Sequence, residues 1–373
     1  MMTSACSIPS STVRHCPKTR LPPVWHPQLG FVALSVIPTG EKERNMRRID
    51  CEEDLVLMYR NSLAYAVIAA WSGQGLFHKL ADGKARTVED LQGDNRALAI
   101  TAPVLAHLGL LSSDGSRYAL SPTGKTLLEA GALSLDSAER THGDLSRFDR
   151  VLAEGGPARA ADGSSRVSEG GVREHDPEGA RAFMKYLYRR SERSVVEVAR
   201  WLMPRLPEQP HILDLGGGHG RYGHELTRHG AEVTLYDRDL IVDIARERYS
   251  DSLQYISGDF MTDPLGGPYQ AALLSNIVHG LGPDENRTLF ARLADSLAPG
   301  GLVVLKDMFL NEDRCQPEEA ALFGLTMLMY TREGQSYTPK EMEDLAGPSG
   351  FENIGVVSVR NLRFSLVFLQ KTG

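Results

Sequence analysis

Cysteine is scarce and scattered. Cys6, Cys16, Cys51 and Cys315 are the only four in 373 residues, and no two form a Cys-x-x-Cys pair. That spacing offers neither a zinc ribbon nor a disulfide framework, so a reducing cytoplasm is the expected compartment. No ligand cluster for a metal stands out. Long apolar runs are also missing. Leu29–Ile37 is apolar but too short to cross a bilayer, and no other stretch suffices, so no membrane partner is expected. Positive charge is not in surplus: 41 Lys and Arg stand against 48 Asp and Glu, a net charge of −7. Such a balance gives no overall pull toward nucleic acid or an anionic membrane.

Asp and Glu are absent up to Gly40, where Ser, Thr and Pro are frequent. Residues 1–45 read as a disordered extension, or as sequence ahead of a natural start at Met46; a transit peptide is the alternative. Residues 46–135 read as a mostly α, winged-helix-like domain. Leu55, Met58, Tyr59, Leu63, Ala66, Val67 and Ala70 recur at helical steps, and Gly73 and Gly75 end the pattern. A short helix is expected from Thr87, capped with Asp90, and another through Leu98, Thr101, Leu105 and Leu108. Leu110 to Leu120 reads as a hairpin turning at Asp114-Gly115. Its candidate recognition helix carries little positive charge, which favours dimerisation over DNA binding. Residues 136–178, with Gly155-Gly156 and Gly170-Gly171 among charges, read as a flexible linker or loop. Residues 179–373 form the second domain, opened by a long helix carrying Phe183 and Met184.

The chain is organised around His211-Ile-Leu-Asp-Leu-Gly-Gly-Gly-His-Gly220. The apolar part reads as a buried parallel strand and the glycines as the tight turn after it. A helix over 221–228 would then point free backbone N–H groups at an anionic ligand. Two cofactor classes fit the spacing. Gly218-x-Gly220-x-x-Gly223 with Asp237 satisfies a dinucleotide pattern. Asp214-x-Gly216-x-Gly218-x-Gly220 places the acid inside the strand instead.

Strand and helix signals then alternate to the end. Strands are expected at 211–215, 232–237, 253–256, 270–277 and 302–308, followed by a hairpin of 354–359 and 364–370 around Asn361. That is an α/β fold, a Rossmann-like doubly wound sheet with a C-terminal antiparallel hairpin. Ligands bind such sheets at the carboxyl ends of the strands, where Asp237, Asp259 with Phe260, and Ser275 stand. An Asp at a strand end can accept both ribose hydroxyls or an adenine amine.

Leu213-Asp-Leu-Gly-Gly-Gly-His-Gly220, Ser275-Asn-Ile-Val-His279 and Pro299-Gly-Gly301 through Lys306-Asp307 together resemble the small-molecule O-methyltransferases of the class I S-adenosylmethionine (SAM) type. The resemblance spans roughly residues 50–135 and 180–373. It implies SAM as cofactor, with Asp214, Gly216, Gly218, Asp237, Asp259, Phe260 and Ser275 around it. It implies His279 as general base for a hydroxyl, probed as phenolic, with Asp307 orienting it, and a homodimer built by the N-terminal domain. No metal is required. The family's second acid falls on Ser336, with Glu333 nearby. Phe183, Met184 and Met327 are pocket candidates that also read as core, as do Phe323, Met329 and Tyr330. A SAM-binding relative that does not methylate, or that methylates carbon or nitrogen, is the alternative. A winged-helix DNA-binding regulator is another. The acceptor stays unnamed.

Overall fold

The computed structural model describes residues 48–130, 132–133, 148–157 and 177–372. The readings made for residues 1–45 lie outside the described residues, as do most of those for 136–178.

The N-terminal region begins with α1 (Glu52–Gly73), followed by α2 (Leu76–Lys79) and α3 (Asn95–His107). Gly75 takes φ +65° between the first two, a turn that glycine enters without steric cost. The helix expected at Thr87 does not form. Asp90 accepts from the Thr87 amide and hydroxyl, so the cap exists. Only one turn follows before Gly93, and Asp94 then caps α3 by accepting from Ala97 N. The wing is present: β1 (Leu111–Ser113) pairs antiparallel with β2 (Tyr118–Leu120), and Gly115 lies at the turn with φ +100°. Then comes α4 (Pro122–Glu129). Trp71, Phe77, Leu80, Leu98, Leu105 and Leu111 make this region's own core. Trp71 Nε1 donates to Thr101 Oγ1 at 2.9 Å.

One helix, α5 (Phe148–Glu154), stands inside the stretch read as a linker. It is held because Val151 packs with Met329 from the far end of the chain, a partner that local composition does not reveal.

The C-terminal region starts with α6 (Pro177–Arg190) and α7 (Glu192–Leu202). Its sheet uses β3 (His211–Leu215), β4 (Glu232–Asp237), β5 (Gln254–Ser257), β6 (Tyr269–Ser275), β7 (Leu297–Asp307), β8 (Phe351–Val359) and β9 (Phe364–Lys371). The seven strands lie in the order β5-β4-β3-β6-β7-β9-β8. The first five run parallel, and β9 enters antiparallel between β7 and β8. Helices α8 (Arg221–Arg228) and α9 (Asp239–Tyr249) join α7 on one face, around Val198, Leu226 and Val242. On the other face, α10 (Pro283–Ser296) and α12 (Pro339–Ala346) pack Phe290, Leu293 and Met342. Helix α11 (Glu318–Tyr330) precedes α12.

Strand β3 is buried on both sides, with Leu213 and Leu215 in one core and Ile212 in the other. Each such side chain contributes about 1.5–3 kcal/mol by leaving water. Chain order reverses at β3, with β4 on one side and β6 on the other. The loops leaving β3 and β6 therefore diverge and leave a crevice above the strand ends.

Candidate active site

The glycine turn seals one wall of that crevice. Gly216 has φ +65°, and a Cβ on it would collide with Ile277 Cδ1 beyond β6. The turn is therefore glycine by necessity and sits directly against the β6 end. Its amides are not free, contrary to expectation. Gly216 N and Gly217 N donate to Tyr236 O at 2.8 and 3.3 Å. Gly218 N donates to Asp237 Oδ2 at 2.9 Å. Arg221 N donates to His219 Nδ1, and Gly220 N to Gly217 O. The turn satisfies itself, so these amides are not an anion cradle.

Asp214 also departs from its expected place. It is fully buried beneath the turn rather than facing a ligand. One oxygen accepts from Gly223 N at 3.0 Å and anchors α8; the other has no partner. Burial pushes its carboxyl up to about 7, and the neighbouring Asp237 adds to the rise.

The strand-end residues converge as the sequence predicts. Asp237 closes β4 and accepts from Gly218 N and, at 2.8 Å, from Arg238 N. Burial raises its carboxyl to about 6 against the opposing pull of those two amides. Asp259 follows β5, with one oxygen accepting from Arg238 at 3.0 Å and the other from Met261 N at 2.8 Å. Phe260 beside it is half-buried, and its carbonyl accepts from Arg292 Nε. Ser275 ends β6 with a buried hydroxyl oxygen that has no partner. Two carboxylates on neighbouring strand ends, a ring beside one of them and an unpartnered buried hydroxyl fit an S-adenosyl nucleoside.

Across the crevice, His279 lies in the single 3-10 turn Val278–Gly280 after β6. Its Nδ1 is 2.8 Å from Asp307 Oδ1, where β7 ends. A carboxylate only accepts, so Nδ1 carries the proton and Nε2 is left as the basic nitrogen. Burial works to raise the Asp307 carboxyl, but His279 and the Met308 amide outweigh it and hold it below the usual carboxylate range. Ser336, at the expected second-acid position, does not reach His279. It is buried and donates to Ala320 O at 2.7 Å. Glu333 is exposed and lies against Gly282. Asp307 is thus the one carboxylate on the imidazole among the described residues.

The pocket candidates separate. Phe183 is 50 % exposed and stacks on Tyr186, so it is neither core nor pocket lining. Met184 is buried with its sulfur 3.5 Å from where a Gly218 Cβ would stand, so it covers the glycine turn. Met327 is buried on α11, and Met329 packs with Val151. Phe323, on the same helix, meets His279 edge-on at 4.7 Å between ring centroids.

Residues the sequence did not single out hold the histidine turn. Asn286 is fully buried and donates from Nδ2 to Val278 O at 3.0 Å and Leu281 O at 3.3 Å. Tyr337 donates its hydroxyl to Leu281 O, and Gln335 N donates to His279 O. An Asn inside an amphipathic helix reads as solvent-facing, and only its position on the buried face betrays it. His219 is also new. It is buried between Tyr188 and Tyr222, and burial together with Arg221 and Arg248 lowers its pKa to about 4, so it stays neutral.

Comparison with known proteins agrees with this geometry. Over 308 residues the chain is 28% identical to 3-hydroxy-5-methyl-1-naphthoate 3-O-methyltransferase of Streptomyces sahachiroi, covering 78% of this chain and 85% of that protein. It is 34% identical to acetylserotonin O-methyltransferase of Gallus gallus over 151 residues, 39% of this chain and 43% of that protein. In three dimensions it resembles human N-acetylserotonin methyltransferase in complex with SAM, with TM-score 0.67 and 20% identity over 90% of this chain and all (100%) of the other. Residues 144–352 match the O-methyltransferase domain family, and the chain belongs to that family.

Proposed function

We propose that this enzyme transfers the methyl group of SAM to a phenolic hydroxyl of a small aromatic molecule, with His279 as general base. The observation that carries the reading is the Asp307–His279 pair, set across the crevice from Asp237 and Asp259. The cofactor's sulfonium supplies an already activated methyl group. The protein's work is then alignment, exclusion of water and removal of one proton.

Asp237 takes the ribose hydroxyls, Asp259 the adenine amine with Phe260 along the ring, and Ser275 uses its unpartnered hydroxyl near the nucleoside. Met184 covers the glycine turn. A phenol is mostly protonated at neutral pH, and Nε2 of His279 accepts its proton as the oxygen attacks. Asp307 fixes the tautomer and stabilises the imidazolium that results. Asn286, Tyr337 and Gln335 hold the turn so that the ring does not swing away. Phe323 and Met327 give α11 an apolar side toward an aromatic acceptor, and the naphthoate enzyme among the relatives makes fused phenols the first class to assay.

The exposed apolar residues of α1 support a homodimer. Leu55, Leu57, Met58, Tyr59 and Leu63 are each at least 41 % exposed, a patch few monomers leave in water.

Calorimetry with SAM, S-adenosylhomocysteine and NAD tests the cofactor, and a screen of phenols with methyl-labelled SAM tests the transfer. Binding of SAM and S-adenosylhomocysteine with label entering a phenol is expected. Binding of NAD without SAM would end the reading.

A further inference from the structure

Lys306 is the only buried lysine among the described residues, at 8 % exposure. It precedes Asp307 on β7, so its side chain leaves the sheet on the opposite face from the catalytic pair. Its ammonium donates to Asn276 Oδ1 at 2.9 Å. The Phe364 and Tyr222 rings lie 5.0 and 6.0 Å from Nζ. Among the described residues no carboxylate stands within ion-pair distance of it. Burying an ammonium is costly unless an anion meets it, and a neutral amide with two rings returns only part of that cost. Two of its three N–H donors remain.

Its position points to the anion. Asn276 turns out of β6 with φ +60° and is exposed to the crevice. The next residue, Ile277, touches Gly216. Tyr222 opens α8 directly after the glycine turn, and the charge of Lys306 is felt at His219 within that turn. The ammonium therefore lies beside the turn, between it and the end of β6. The turn's own amides have acceptors already. An anion reaching this corner finds a cation rather than a nest of amides. The methionyl end of SAM carries one carboxylate and one ammonium; a lysine attracts the first and repels the second.

We propose that Lys306, held by Asn276, receives the α-carboxylate of the methionyl end of SAM. This rests on the cofactor reading above and deepens it by naming the residue that recognises the amino-acid end. Lys306 then selects for the intact amino-acid tail, while Asp237 and Asp259 serve the nucleoside.

Calorimetry on the full chain separates the two. The probes are S-adenosylhomocysteine and its decarboxylated analogue, which keeps the nucleoside, sulfur and amine. Wild type is expected to prefer the first. Lys306→Met is expected to weaken S-adenosylhomocysteine about 10–100-fold, the worth of one charge-assisted hydrogen bond. The analogue should bind that variant unchanged or more tightly. Equal loss for both ligands, or no loss for either, overturns the proposal, as does a wild type that binds the two equally; in that last case the cofactor reading survives. A wild type that binds neither ends the cofactor reading and this proposal with it. Should Lys306→Met bind neither because packing fails, Lys306→Gln, which keeps a donor for Asn276, carries the same comparison.

Discussion

The two carboxylate oxygens of Asp307 lie 2.8 and 2.9 Å from the same nitrogen of His279, Nδ1. The imidazole is thus fixed in one tautomer from below while its other nitrogen stays available. Asp307 is buried and its pKa is depressed, so it remains a carboxylate through the range in which the histidine works. The catalytic argument follows from that asymmetry.

Cofactor affinity should depend on pH through Asp237. Its carboxyl is raised to about 6, so protonation begins near neutrality rather than near 4. A protonated Asp237 loses acceptor capacity for the ribose. S-adenosylhomocysteine affinity should therefore fall as pH drops from 7.5 to 5, by up to about tenfold per pH unit. Asp237→Asn should bind more weakly and show a flatter profile. Calorimetry across that range checks both.

Stability of the ligand-free protein should move the other way. Burial raises Asp214 to about 7, far above its unfolded value. Between the two values the folded state holds a proton that the unfolded state has released. This group's contribution is therefore fully present below about pH 4 and is lost as pH rises toward 7. Asp214→Asn should flatten the fall in Tm over that window, as thermal melts would record; an unchanged slope would refute it.

Much of this was legible in the chain, and the reasons differ by residue. Leu213 and Leu215 announce a strand because both faces are buried. His279 and Asp307 are legible because strand ends collect chemistry in this fold. Asp214 misled because the same strand-end logic does not say which acid faces in. The amides of the glycine turn misled because their acceptor, Tyr236 O, comes from a neighbouring strand. Asn286 and Lys306 were invisible because polar residues in helices and strands read as solvent-facing until the packing is known. The helix at Thr87 failed because Gly93 cuts short what the cap began.

Gly216→Ala should damage the site from its wall. The new Cβ meets Ile277 and the residue keeps φ +65° only under strain. A loss of about 1–3 kcal/mol in stability is expected, together with weaker SAM binding. Denaturant titration and calorimetry read the two effects. Wild-type values for both would show that the turn tolerates a side chain.

The apolar face of α1 should close a dimer. Leu55→Glu with Tyr59→Glu should shift the chain toward monomer in light scattering at micromolar concentration, since a buried like-charge pair on each copy opposes association. A wild-type monomer, or a dimer untouched by both charges, would place the interface elsewhere or nowhere.

The most direct measurement of the central claim is single-turnover methylation of a phenolic acceptor by His279→Ala across pH. Asp237 and Asp259 are untouched in this variant, so SAM affinity should hold while the rate at pH 7 falls about 10²–10⁴-fold, the worth of a positioned base. The rate should recover as pH climbs toward the acceptor's own pKa, near 10 for a simple phenol. Asp307→Asn should fall less, in the same direction. A His279→Ala enzyme that keeps nearly full rate at pH 7 would contradict the base role and leave alignment alone to carry the transfer.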